Sequence, residues 1–321
     1  MGKREKTDNF TPHDQAVIRE RAARAATHLR HCHLCPRKCG VNRLSGQVGF
    51  CGIGSRAWVF SYGPHFGEEQ ALVGAKGSGA IFFSGCNLHC VFCQNHEISA
   101  GINGHHAAGR EMGGGELAAI MVALQQQGCA NINLVTPTHV VPQILAALAE
   151  AVGLGLKIPI VYNSSGYDRV ETLALLDGVI DIYMPDCKFF SGDKAARYLQ
   201  AKDYPQVMQK GIYEMHRQVG DLVCDARGIG VRGLLVRHLV MPGMVGEAEK
   251  IMRFLADEIS RETFVNIMDQ YHPCCRAGEF PEINRTIAPS EYEQAMQAAR
   301  RSGLHRFEQR DIGRLLAMLG K

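Results

Sequence analysis

Twelve of the 321 residues are cysteine, and seven of these fall between positions 32 and 93. Thiolates bind soft and borderline metals, so clustered cysteines point to metal or redox chemistry more than to disulfides in a reducing compartment. One group is Cys86, Cys90 and Cys93, in GCNLHCVFC, with the spacing C-x3-C-x2-C. Chance places that spacing somewhere in such a chain about 2% of the time, which makes it a motif. Three thiolates on one short loop hold three irons of a cubane [4Fe–4S] cluster and leave the fourth iron open for chemistry. The alternative is a zinc or structural site completed by a distant ligand. A second group is Cys32, Cys35, Cys39 and Cys51, in CHLCPRKC and GFC. Four thiols suit tetrahedral zinc or a second [4Fe–4S] cluster, with Arg37 and Lys38 set to offset thiolate charge. Reduced thiols in a small fold are the bland alternative, and His31 and His33 are read as flanking residues.

These groups need elements to position them. Residues 79–84 read as a short buried strand that delivers Cys86 into the loop after it. Residues 13–31 read as a helix rich in Ala and Arg, and 57–62 as a strand. Beyond the loop, helical periodicity at 116–127, 140–152, 168–176, 192–200, 204–218, 246–260, 289–302 and 310–319 alternates with strand-like runs. Those runs are 131–135, 158–162, 179–184, 234–241 and 264–269. Counting 79–84, that makes six strands, each trailed by helix or loop, which builds a parallel α/β sheet with right-handed crossovers. The chain divides into a helix and Cys-rich extension, 1–56, and a core, 57–321 with closing helices.

The C-x3-C-x2-C motif after the first strand, with Phe92 before its last cysteine, resembles the radical S-adenosylmethionine superfamily. HFGEE, GSGAIFFSGCNLHCVFCQNHEIS, NINLVTPTH, YNSSGY, DIYMPDCK, RHLVMPG and NIMDQYHP are similar to the pyruvate formate-lyase-activating enzyme branch and its PflX-like proteins. The resemblance implies a partial (β/α)6 TIM-like barrel, open on one side. It implies reductive cleavage of S-adenosylmethionine at the [4Fe–4S] cluster to methionine and a 5′-deoxyadenosyl radical that abstracts hydrogen. It also implies an electron donor such as flavodoxin or ferredoxin.

Ligands of such sheets sit at strand C-terminal ends. Thr136 and Thr138, in TPTH, stand where the resembled family has a GGEP-like loop for the cofactor amino group; helix capping is the simpler reading. Gly113, Gly114, Gly115 and Glu116 resemble that motif but precede a helix and are read as its entry. Asn163 and Ser164 follow the third strand, resembling a turn that meets the cofactor carboxylate; an ordinary turn is the alternative. Asp186 and Lys188 flank Cys187, which is read as packing; they can pair with each other, and Lys188 can also reach an anionic carboxylate, with a surface salt bridge as the bland alternative. Arg237 lies in an apolar strand and must find a partner, for which the resemblance suggests the cofactor carboxylate or ribose. His272, after Tyr271, resembles the family's aromatic-His end near the adenine. With Phe92, these residues form the expected cofactor pocket.

The net charge of +3 is too small for a dominant nucleic-acid footprint. No apolar run reaches the roughly 18 residues of a membrane span. Residues 1–10 are charged and lack a signal-like apolar stretch, and Lys6 stands where a myristoylation signal wants Ser or Thr, so cytoplasm is expected. The leading expectation is an activase that takes a glycyl hydrogen from a protein. A radical enzyme acting on a small molecule or peptide is the alternative, and a cluster-bearing electron carrier is a third reading that polar strand ends argue against.

Overall fold

The computed structural model describes residues 13–99 and 108–308. The expected helix at 310–319 lies outside the described residues.

A nine-stranded mixed sheet runs through the molecule. Its strands are β1 (Ala57–His65), β2 (Ser78–Phe83), β3 (Arg110–Met112), β4 (Ile132–Val135), β5 (Ile160–Ser164), β6 (Ile182–Pro185), β7 (Val223–Cys224), β8 (Gly230–Leu239) and β9 (Phe264–Met268). Six of them, β2, β4, β5, β6, β8 and β9, pair in parallel with each sequential neighbour, as the sequence pattern expects. β1 runs antiparallel to β2, β3 antiparallel to β1 and β7 antiparallel to β8; β3 and β7 are too short to leave an alternating signature.

The helices are α1 (Gln15–Ala26), α2 (Gln70–Val73), α3 (His96–Ser99), α4 (Gly114–Gln126), α5 (Val141–Gly153), α6 (Val170–Leu173), α7 (Gly192–Leu199), α8 (Tyr204–Val219), α9 (Val245–Phe254) and α10 (Pro289–Arg301). All four residues of β4 are buried, as expected of a strand covered on both faces. Pro142 sits in the first turn of α5, where its missing N–H costs nothing. At the start of α4 the Glu116 carboxylate accepts from Gly113 N at 2.9 Å, which confirms the glycine run as a helix entry. The helix expected over 168–176 shrinks to α6 and a 3-10 turn, because the Asp168 side chain is drawn inward and does not cap it. α9 ends in a wider π-type turn, Leu255–Ile259, four residues before the expected strand resumes.

One face of the sheet packs the main apolar core against the helices. The other face holds a smaller cluster, in which Ala71 and Leu72 of α2 sit among Val161, Ile182, Met184, Leu222 and Leu235. The Leu72 carbonyl accepts from Asn131 Nδ2 at 2.7 Å, which ties α2 to the base of β4. Among the described residues, no helix is long and apolar enough to cross a membrane. Leu72 is fully buried. Leu72→Ala is therefore expected to cost about 2–5 kcal/mol, read from urea unfolding midpoints at unchanged slope.

Candidate active site

Strand β2 delivers the chain to Gly85 in a left-handed conformation (φ 81°), and Cys86 follows. A Cβ at Gly85 would stand 2.5 Å from the carbonyl oxygen of Cys51, so only glycine permits this approach. Leu88 N donates to Cys86 Sγ at 3.3 Å, a bond that favours a negatively charged sulfur. Cys86 is buried, and Cys90 and Cys93 are half-buried. Burial, then Cys90 and Cys93, push the Cys86 thiol up. Burial pushes Cys90 up to about 12, against the pull of Lys188. Cys93 Sγ lies 3.2 Å from Ser99 Oγ.

The Asp186–Lys188 pair forms as expected, with Nζ 2.6 Å from Oδ2. Burial works against the Lys188 charge, but Asp186 and then Cys90 overturn it and raise its pKa. The ammonium therefore faces the thiol loop. Cys187 points away and packs its sulfur 3.5 Å from Met208 Sδ, as read.

Other expected site residues are committed inside the protein. Thr138 Oγ1 donates to Asp168 Oδ1 at 2.7 Å and caps no helix. Ser164 Oγ donates to Asp168 Oδ2 at 2.6 Å, and Tyr162 OH donates to Oδ1 at 3.0 Å. Burial raises the Asp168 pKa against these three hydroxyls. Thr136 takes a left-handed backbone (φ 60°) and gives its N–H to the Asn163 carbonyl at 2.9 Å. Asn163 is 8% exposed. The Phe92 ring is buried against Phe189 and Tyr271 at 6.0 and 6.3 Å. His272 is exposed, with Nδ1 3.3 Å from the Gln270 carbonyl.

Arg237 does find its partner, and the partner is protein. Its Nε and one terminal nitrogen reach Glu69 at 2.6 Å each, and the same nitrogen reaches Glu68. Asn266 Nδ2 adds 2.7 Å to Glu69, and His65 lies 3.1 Å from Glu68. Burial would push the Glu68 carboxyl up, but His65 and Arg237 hold it at about 2. In the sequence HFGEE stands out only as a family-like stretch; the adjacent carboxylates Glu68 and Glu69 are the one local signal for this role.

The N-terminal cysteines pack against the same loop. Phe50 stacks on His89 with centroids 4.1 Å apart, and Arg37 Nε donates to the Asn87 carbonyl at 3.0 Å. Arg169 donates to the His33 carbonyl, and Thr172 Oγ1 to that of Leu34 at 2.6 Å. Arg43, 2% exposed, sends one nitrogen to the His139 carbonyl at 2.7 Å and another to within 3.4 Å of Cys51 Sγ. His139 Nε2 in turn lies 2.8 Å from the Ser84 carbonyl, two residues before Cys86, and burial lowers that imidazole to about 4. Arg43 and His139 were missed, since neither stands in a recognisable spacing. Among the described residues, no three or more His, Cys, Asp or Glu side chains already stand in an arrangement that could hold a metal ion.

No family model matches the chain. The uncharacterized protein MJ0674 of Methanocaldococcus jannaschii is 32% identical over 310 residues, covering 92% of this chain and 84% of that one. Streptococcus suis SuiB bound to precursor peptide SuiA superposes with a TM-score of 0.46 at 9% identity, over 73% of this chain and 49% of that one. This chain thus spans about half the length of SuiB.

Removing Arg237 leaves two buried carboxylates without their cation. Arg237→Met is expected to lose about 3–5 kcal/mol near neutral pH. The folded Glu68 pKa, about 2, lies below its ordinary 4.5, so its contribution is present above 4.5 and is lost as pH falls towards 2. The gap between wild type and variant should therefore narrow below about pH 4.5. Unfolding at a series of pH values checks this; a pH-independent gap would refute it.

Proposed function

The chain belongs to the same family as the uncharacterized protein MJ0674 of Methanocaldococcus jannaschii, and from its thiol loop we propose that it is a radical S-adenosylmethionine enzyme. One observation carries the reading. The Cys86, Cys90 and Cys93 loop leaves the C-terminal end of the first of six parallel strands, and the Asp186–Lys188 pair at the end of the fourth faces its thiols. The chemistry of the donor set supports a [4Fe–4S] cluster, which Cys86, Cys90 and Cys93 would hold: three thiols on one loop, an N–H aimed at one sulfur and a cation beside them. When bound, the cluster and S-adenosylmethionine supply one-electron cleavage and hydrogen abstraction.

The chain's own residues do the rest. Residues 57–321 are the catalytic core, curved as a partial (β/α)6 barrel, and 1–56 a metal-binding extension. Lys188 offsets thiolate charge and presents its ammonium to an anionic group of the cofactor. Asn163 and Thr136 line the pocket with backbone and amide groups, and Phe92 and His272 flank it. Thr138, Ser164 and Arg237 shape the pocket from behind, since their polar atoms are taken up by Asp168, Glu68 and Glu69.

For the substrate we favour a small molecule or peptide over a glycyl radical enzyme. The TPTH segment departs from the activating-enzyme loop, and the departure is built in: Thr138 is locked to Asp168 and Thr136 holds a left-handed backbone.

Anaerobically reconstituted wild type is expected to form 5′-deoxyadenosine with dithionite and S-adenosylmethionine. Cys90→Ala should lose the cluster and that product while keeping its far-ultraviolet circular dichroism. Full cleavage by this variant would sink the assignment. A glycyl radical signal on a partner protein would restore the activase reading.

A further inference from the structure

We propose that Tyr204, at the start of α8, is a positioning residue: its hydroxyl fixes the strand-end backbone from which Lys188 and the Asn163–Gly166 turn face the thiol loop. The proposal rests on the radical-enzyme reading and deepens it by naming what holds two strand ends of that site together.

The need for such a group arises in the sheet. β5 and β6 pair in parallel from Val161 and Ile182 up to Ser164 and Pro185, and Asp186 N then donates to the Ser164 carbonyl at 3.0 Å. The Ser165 and Asp186 carbonyls and the Lys188 N–H lie beyond that ladder. Backbone polar groups in a buried place require partners. One hydroxyl serves all three. Lys188 N donates to Tyr204 OH at 3.0 Å, and the hydroxyl proton is shared between the carbonyls of Ser165 at 2.9 Å and Asp186 at 2.8 Å. Gly166 makes the approach possible. Its backbone is left-handed (φ 74°), and a Cβ there would collide with the Asp186 carbonyl and stand 3.1 Å from the hydroxyl.

The helix that brings the hydroxyl also holds the neighbouring side chain. Tyr204 is fully buried and opens α8; Met208, one turn on, places Sδ 3.5 Å from Cys187 Sγ. Residues four apart share a helix face. A single face of α8 therefore grips Cys187 by its sulfur and Asp186 and Lys188 by their backbone. The Tyr204 ring stacks on Tyr167 with centroids 5.9 Å apart, and the Tyr167 carbonyl accepts from Asn87 Nδ2 at 2.6 Å. Asn87 is the residue after Cys86. The thiol loop and Lys188 thus hang on one pair of tyrosines.

Lys188 is fixed at both of its ends. Tyr204 holds its N–H, and Asp186 holds its ammonium at 2.6 Å while giving its own carbonyl to the same hydroxyl. A cation held in this way has little freedom left to lose when an anionic group arrives. The contribution of Tyr204 is made through Lys188, without a contact of its own to the ligand. Phenylalanine at 204 keeps the ring and its packing and removes only the oxygen.

The test compares full-length wild type with Tyr204→Phe, Lys188→Met and the double variant. Before reconstitution, the Lys188 amide should exchange hydrogen at least tenfold faster in Tyr204→Phe, with the amides of Ile182–Met184 and the far-ultraviolet circular dichroism unchanged. After anaerobic reconstitution, calorimetry should show at least tenfold weaker binding of S-adenosylmethionine. In dithionite-driven cleavage its KM should rise by a similar factor, with kcat within twofold. Because Tyr204 acts through Lys188, Tyr204→Phe should add less than twofold to the loss already present in Lys188→Met. Unchanged affinity in Tyr204→Phe, an unchanged Lys188 exchange rate, or a full tenfold loss on top of Lys188→Met overturns the proposal. Loss of the fold in Tyr204→Phe would make the residue purely structural and overturn it too. Failure of wild type to bind S-adenosylmethionine would sink the radical-enzyme reading instead, while the exchange rates, read without cofactor, still decide whether Tyr204 holds the strand ends.

Discussion

The carbonyl of Cys51 rests on Gly85, and no other residue type at 85 would let it stay there. The remaining geometry of the site follows from this contact. Gly85 turns the chain out of β2 with a positive φ, so the direction in which Cys86 leaves the sheet is set at the same point that the N-terminal segment touches. Arg43 braces the contact from one side, through His139 to the Ser84 carbonyl. Phe50 and Arg37 brace it from the other, on His89 and Asn87. The thiol loop is thus gripped between a strand end and a second thiol set, although nothing in the order of the cysteines along the chain requires it.

The polar strand ends obey a second constraint. A charge at the end of a buried strand must be answered before any ligand arrives. Arg237 is answered by Glu68 and Glu69, Asp168 by three hydroxyls, and Lys188 by Asp186. These groups hold their positions without a cofactor, which is what a site that must shield a reactive species needs. Their cost is a smaller number of free polar atoms at these strand ends.

Strand order, helix positions and the thiol loop were legible because each leaves a local pattern: apolar runs of four to six residues, helical periodicity, and cysteines three and four positions apart. The Asp186–Lys188 pair was legible for the same reason, lying two positions apart on one strand end. Arg237 was legible only as a demand. Its partners lie 168 and 169 positions away, and no periodicity reports a through-space pair at that separation. Asp168 shows the opposite error: a residue with a plausible local role, opening a helix, is taken by tertiary hydrogen bonds. The packing of the N-terminal segment on the 86–93 loop left no signal either, because Phe50 and Arg37 meet His89 and Asn87 across a long separation in sequence.

Net charge hides a further separation. A sum of +3 suggests a surface without strong fields, yet the acidic residues are excluded from the 47 positions that follow Glu20 and precede Glu68. The cations of that stretch find their partners elsewhere in the fold: Arg24 on Glu20, Arg56 on Glu111 and Glu116, and the buried Arg43 on the His139 carbonyl and Cys51 Sγ. Burial raises the pKa of free Cys35 to about 12 and raises that of Cys51 as well, so a proton alone would keep these sulfurs neutral at ordinary pH.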